Sequence, residues 1–72
     1  MAEKSSFIPN APVARILQDA GAKRVSEEAV NEFVDVLQGI AEQIATKAAE
    51  LAKHSGRKTI QEGDIKLAAK NY

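Results

Sequence analysis

Apolar residues return along this chain with the period of a helix rather than the two-residue alternation of a strand. After Pro12, which suits the first turn of a helix, Val13, Ile16, Leu17 and Ala20 keep helical spacing, and Gly21 ends the pattern. The preceding Ile8-Pro9-Asn10-Ala11-Pro12 cannot be helical throughout, because each proline restrains the residue before it. Ala22-Lys23-Arg24-Val25 is a short connector. Ser26 then reads as an N-cap, followed by Glu27 and Glu28, whose charges suit the positive end of a helix dipole. From there to His54, apolar residues recur at Val30, Phe33, Leu37, Ile40, Ile44 and Leu51, with Val34 and several alanines widening the stripe. Lys47 alone interrupts the spacing, and Gly39 weakens the helix by about 1 kcal/mol relative to alanine. The pattern predicts one amphipathic helix of about 28 residues, or roughly 42 Å. Gly56 ends it, and a last helix begins near Gln61 or Glu62, with Ile65, Leu67, Ala68 and Ala69 as its apolar positions.

A short–long–short, all-α layout has a physical consequence. Flanking helices of about ten residues span roughly 15 Å each, so neither covers the whole stripe. The material for doing so is also small: of 32 hydrophobic residues 13 are alanine, and Phe33 is the one aromatic in a periodic segment. A chain of 72 residues lies near the lower limit for an unaided core. With no cysteine and a single histidine, His54, disulfides and a metal cage are not expected to help. Pairing of two long helices is the predicted remedy. No apolar run approaches the roughly 20 residues of a membrane span, and Met1–Ser6 lacks the apolar stretch of a signal peptide. The expectation is a soluble cytoplasmic protein without membrane contact. No cofactor and no enzymatic activity are expected either: there is no phosphate-binding glycine-rich motif, and adjacent carboxylates such as Glu27 and Glu28 diverge on a helix.

The net charge is zero, which argues against nucleic-acid binding until the chain is divided at the predicted helix ends. Residues 1–26 carry +2, with Lys23 and Arg24 in the first connector; residues 27–51 carry −5; residues 52–72 carry +3, with Arg57 and Lys58 in the second. If two long helices cross antiparallel, the first loop of one chain lies near the second loop of the other. Each end of the dimer then holds a basic patch with hydroxyls from Ser26 and Thr59, suited to phosphates through charge and helix N-termini. For either loop alone, solvation of surface charge is the simpler explanation.

At this point the sequence resembles the archaeal histones from Pro9 to about Lys70. The resemblance rests on Ala11-Pro12-Val13-Ala14-Arg15-Ile16, on Asp19-Ala20-Gly21-Ala22-Lys23-Arg24-Val25-Ser26, and above all on His54-Ser55-Gly56-Arg57-Lys58-Thr59-Ile60 with Asp64-Ile65. It implies the three-helix histone fold as a handshake homodimer, with residues 9–72 as the domain and residues 1–8 as an N-terminal extension, free to be flexible. The partner it implies is double-stranded DNA, bent and compacted with little sequence specificity by dimers that stack into tetramers or larger assemblies, at the nucleoid. A heterodimer with a related histone is compatible with it.

The resemblance also implies residue roles. Arg15 corresponds to an arginine that enters the minor groove, while Lys23, Arg24, Ser26, Lys58 and Thr59 correspond to loop residues that meet phosphates. Arg57 and Asp64 correspond to an ion pair that holds the second loop. Val30, Phe33, Leu37, Ile40 and Ile44 fill the dimer core. Leu51, His54, Asp64 and Leu67 form a dimer–dimer contact, in which His54 hydrogen-bonds Asp64; without the resemblance, His54 reads as a dipole partner at a helix C-terminus. The chain also departs from the family. Gln18 and Gln61 stand where relatives often have a basic residue, Asn10 replaces an apolar one, and the chain stops at Asn71-Tyr72 without a basic tail. Weaker DNA binding than in more basic relatives is therefore expected. The alternative function is a histone-fold dimerisation module in a protein assembly that binds DNA poorly or not at all.

Overall fold

The computed structural model describes residues 7–70 and 72; of the expected N-terminal extension, residues 1–6 lie outside them. Three helices follow one another: α1 (Asn10–Asp19), α2 (Glu27–His54) and α3 (Glu62–Lys70). Helix α1 starts two residues before Pro12. Pro9 is the extended N-cap, which places Pro12 at the third helical position, where an amide hydrogen has no intrahelical acceptor to lose.

Local chemistry explains the remaining ends. At the close of α1, Gly21 N–H donates to Gln18 O at 3.0 Å and Ala22 N–H to Leu17 O at 3.2 Å. At the close of α2, Gly56 N–H donates to Lys53 O at 2.9 Å and Arg57 N–H to Ala52 O at 3.0 Å. Both are paired closures that satisfy the last carbonyls, and both require a residue with positive φ: Gly21 at 123° and Gly56 at 74°. Helix α2 opens on Ser26, whose Oγ accepts from Ala29 N–H at 3.0 Å.

The chain divides into two compact units, with the boundary between Gly39 and Ile40 inside α2. In the first, Val13 of α1 packs with Val30 and Val34 of α2, and Ile8, Ala14, Leu17, Val25, Phe33 and Leu37 lie partly buried against them. Two side chains of α2 also hold the segment leading into α1. Gln38 Oε1 accepts from Phe7 N–H at 2.9 Å, and Asn31 Oδ1 accepts from Asn10 Nδ2 at 2.8 Å. Ile8, at the end of the expected extension, is thus part of the packed cluster. Among the described residues of the second unit, the buried ones are Ala48 and Ala52 of α2 with Asp64 and Ala68 of α3.

Among the described residues no apolar side chain larger than valine is buried. Phe33, Leu37, Ile40, Ile44 and Leu51 remain half-exposed along α2, and Ile65 and Leu67 of α3 stay 44% and 47% exposed. Fully burying such a side chain stabilises by about 1.5–3 kcal/mol, so a single chain leaves most of its potential core unused. Val30 differs from the other four residues expected in a dimer core: its own chain already buries it, to 6% exposure, and little of it remains for a second copy.

Two glycine substitutions are expected to act in opposite directions. Gly56→Ala forces a Cβ into a left-handed conformation and should lower stability by about 1–2 kcal/mol. Gly39→Ala lies in regular helix with open space around the added carbon and should raise it by about 1 kcal/mol. Urea titrations of both variants measure the two shifts.

Candidate nucleic-acid interface

The first basic loop, residues 20–26, lies between α1 and α2 and exposes Lys23 and Arg24. Ser26 closes it, and its Oγ is committed as acceptor to the Ala29 amide, leaving the hydroxyl proton to donate outward. Glu27 and Glu28 occupy the first turn of α2 and offset the helix dipole there. The N-terminus of α2 is therefore less favourable to an anion at this loop than the exposed Lys23 and Arg24 side chains are. The better N-terminus is that of α1, which has no side-chain cap and no acidic residue in its first turn. Pro9 ahead of Asn10-Ala11, with no carboxylate nearby, is the sequence signal for it. Arg15 is exposed on the same helix, whose inward face is marked by Val13.

The second basic loop, residues 55–61, is built around one ion pair. Arg57 Nη1 and Nη2 donate to Asp64 Oδ2 and Oδ1 at 2.9 and 3.0 Å, and Nη1 also donates to Thr59 O at 3.1 Å. Asp64 Oδ2 accepts in addition from Gln61 N–H at 2.8 Å, which caps the start of α3. The guanidinium thus ties a carbonyl inside the loop to the first turn of the next helix. The Asp64 side chain keeps 9% of its surface exposed and that of Arg57 31%. These bonds hold the Asp64 carboxyl down at about 2, chiefly through the Arg57 hydrogen bond and then the Gln61 amide, and they push the Arg57 guanidinium upward, chiefly through its hydrogen bond to Asp64. Arg57 is consequently a structural cation. Lys58 and Thr59, both exposed, are the residues this loop offers to an anion.

His54 is the exposed last residue of α2 and Leu51 is half-buried one turn earlier. Both carboxylate oxygens of Asp64 are already bonded inside the chain, so a bond from His54 of another copy has to share an oxygen with Arg57. Among the described residues no group of three His, Cys, Asp or Glu side chains is placed to hold a metal ion, and no helix is long and apolar enough to cross a membrane.

Residues 6–69 match the profile of the family described as histone-like transcription factor (CBF/NF-Y) and archaeal histone. The chain is 43% identical over 63 residues to one of the archaeal histone HAN1 chains of Thermococcus zilligii, covering 88% of this chain and 94% of that protein. It is 51% identical over 61 residues to probable archaeal histone 3 of Methanocaldococcus jannaschii, covering 85% and 91%. A third similar protein, DNA-binding protein HmvA of the same organism, is 37% identical over 60 residues, 83% of this chain and 62% of its own length.

The ion pair predicts an acid dependence. The folded-state value of Asp64 lies below its ordinary 3.8, so its contribution to stability is complete above that value and disappears as pH falls toward about 2. Asp64→Asn should be less stable than the parent at pH 7, and the gap should close between about pH 4 and pH 2. Thermal melts across that range measure it; a gap independent of pH would assign the loss to packing instead.

Proposed function

The chain belongs to the family of histone-like transcription factors (CBF/NF-Y) and archaeal histones, and from that membership we propose that it is an architectural protein of double-stranded DNA. It bends, wraps and compacts the duplex with little sequence preference, and it acts at the nucleoid. The observation that carries this reading is the second loop. One bidentate pair and a bond to Thr59 O fix its backbone, while Lys58 and Thr59 stay exposed. A loop that must meet phosphates in one register gains from being held before it binds.

Dimerisation supplies the other half of each patch. The half-exposed stripe of Phe33, Leu37, Ile40 and Ile44 is covered by the same stripe of a second copy running antiparallel, as a handshake homodimer. Lys23, Arg24 and Ser26 of one copy then flank Lys58 and Thr59 of the other, and Arg15 reaches into the minor groove between phosphate contacts. Such contacts carry no base code, so preference among sites follows from how readily the duplex deforms. Leu51, His54, Asp64 and Leu67 join dimers into tetramers or longer assemblies, and a related histone chain can replace one copy. No catalytic step belongs to this reading.

A dimerisation module within a protein assembly is the second reading. The zero net charge and an α2 that carries −5 over residues 27–51 favour it.

Binding to random-sequence duplex at two salt concentrations tests the proposal. The parent should bind with a log–log salt slope set by its phosphate contacts. Arg24→Ala or Lys58→Ala should each reduce that slope by about 1 for every phosphate left without its cation, or about 2 per dimer. Gln18→Lys and Gln61→Lys should strengthen binding. Nuclease digestion of reconstituted complexes separates the modes: regular increments mark dimer-by-dimer growth, one protected length marks a closed particle, and no protection favours the protein-assembly reading.

A further inference from the structure

Lys47 is the one charge that breaks the apolar stripe of α2, and neither basic loop includes it. On a helical wheel it lies about 20° from Ile40 and about 40° from Leu51, both half-buried residues of that stripe. The side chain is exposed and takes no part in the Arg57–Asp64 or Lys66–Glu62 ion pair. A chain that covers this stripe has to cover part of Lys47 as well. Desolvating a lone cation is unfavourable unless an anion meets it, and a single polar group in an apolar seam selects register and partner.

The anion is available on α2 itself, in a second copy. Glu32 is exposed and lies about 60° from Lys47 on the same flank of the stripe. Two copies related by a twofold axis, with antiparallel helices, set like flanks against like flanks, so any pair forms twice. The point midway between Glu32 and Lys47 falls between Gly39 and Ile40. The midpoint of α2 (Glu27–His54) falls one residue later, between Ile40 and Ala41. A register that sets Lys47 level with Glu32 of the second copy also sets Arg24 level with Ser55, inside the second basic loop. The same alignment therefore serves the charge pair and the phosphate patches.

We infer that Lys47 of one copy pairs with Glu32 of the other, twice per dimer, and that this reciprocal ion pair selects like chains and their register. The assignment rests on the antiparallel dimer proposed above. Related chains without an acidic residue at the position of Glu32 are disfavoured as partners, because they leave Lys47 unpaired in the seam.

Charge reversal tests this in the full chain, with sedimentation as the readout and circular dichroism confirming that each variant stays helical. Lys47→Glu sets carboxylate against carboxylate at each of the two symmetry-related pairs of the homodimer, and Glu32→Lys sets ammonium against ammonium at each. Each should weaken homodimerisation about tenfold at low salt, and less at high salt. The double variant K47E/E32K should recover the parent affinity. Mixing the two single variants should give heterodimer as about nine-tenths of all dimer, against one-half for random pairing. Single variants that dimerise like the parent, a double variant that is not rescued, or random pairing in the mixture would each overturn the assignment while leaving the dimer intact. A parent chain that sediments as a monomer at concentrations where the DNA is bound would overturn the antiparallel pairing, and this assignment with it.

Discussion

What limits this protein is the size of what one chain can bury. Val13, Val30 and Val34 form one small cluster, and three alanines are the buried apolar residues beyond Gly39. Contact with valine and alanine removes little apolar surface from water, while the larger Phe33, Ile40, Ile44 and Leu51 stay half in solvent. The remaining features follow from that shortage. An amphipathic helix of 28 residues is retained although its own flanking helices, of ten and nine residues, cannot cover it. Its uncovered half is apolar surface that the proposed antiparallel second copy would cover.

The charge distribution serves the same end. Glu27 and Glu28 stabilise the start of α2 and, by doing so, remove the helix dipole from the first basic loop. What that loop offers an anion is its exposed Lys23 and Arg24 side chains, while in the second loop a guanidinium is committed internally to Asp64 and Thr59. One loop offers side-chain charge and the other a backbone held by internal bonds. Two copies running antiparallel would put one of each kind at every patch, which suits a duplex whose backbone geometry varies along its length.

Much of the fold was legible in the sequence because its signals are local. Ser26, Gly21 and Gly56 act within one helical turn of themselves, and α2 runs over the residues that those signals bound. The start of α1 was less legible: Pro12 can occupy any position of a first turn, and extended Pro9 decides which. The basic loops could be found from charge alone. Their internal roles could not, since Arg57 and Lys58 are equivalent by composition; the family resemblance separated them, and hydrogen bonds to Thr59 and Asp64 show how.

The order of three helices, the bounds of α2 (Glu27–His54), and the segregation of charge into an acidic helix between basic loops, follow from the residue order alone, because helical periodicity, caps and charge are properties of neighbouring residues. Which half of the α2 stripe a single chain consumes is settled instead by packing in three dimensions. Val30 lies inside while Phe33 and Ile40 stay half outside, a choice made by where α1 packs. Packing likewise makes Asp64 a buried, low-pKa anchor of the second loop rather than one more acid on a helix surface. Both depend on residues meeting across a turn or between helices, where distance along the chain no longer measures distance in space.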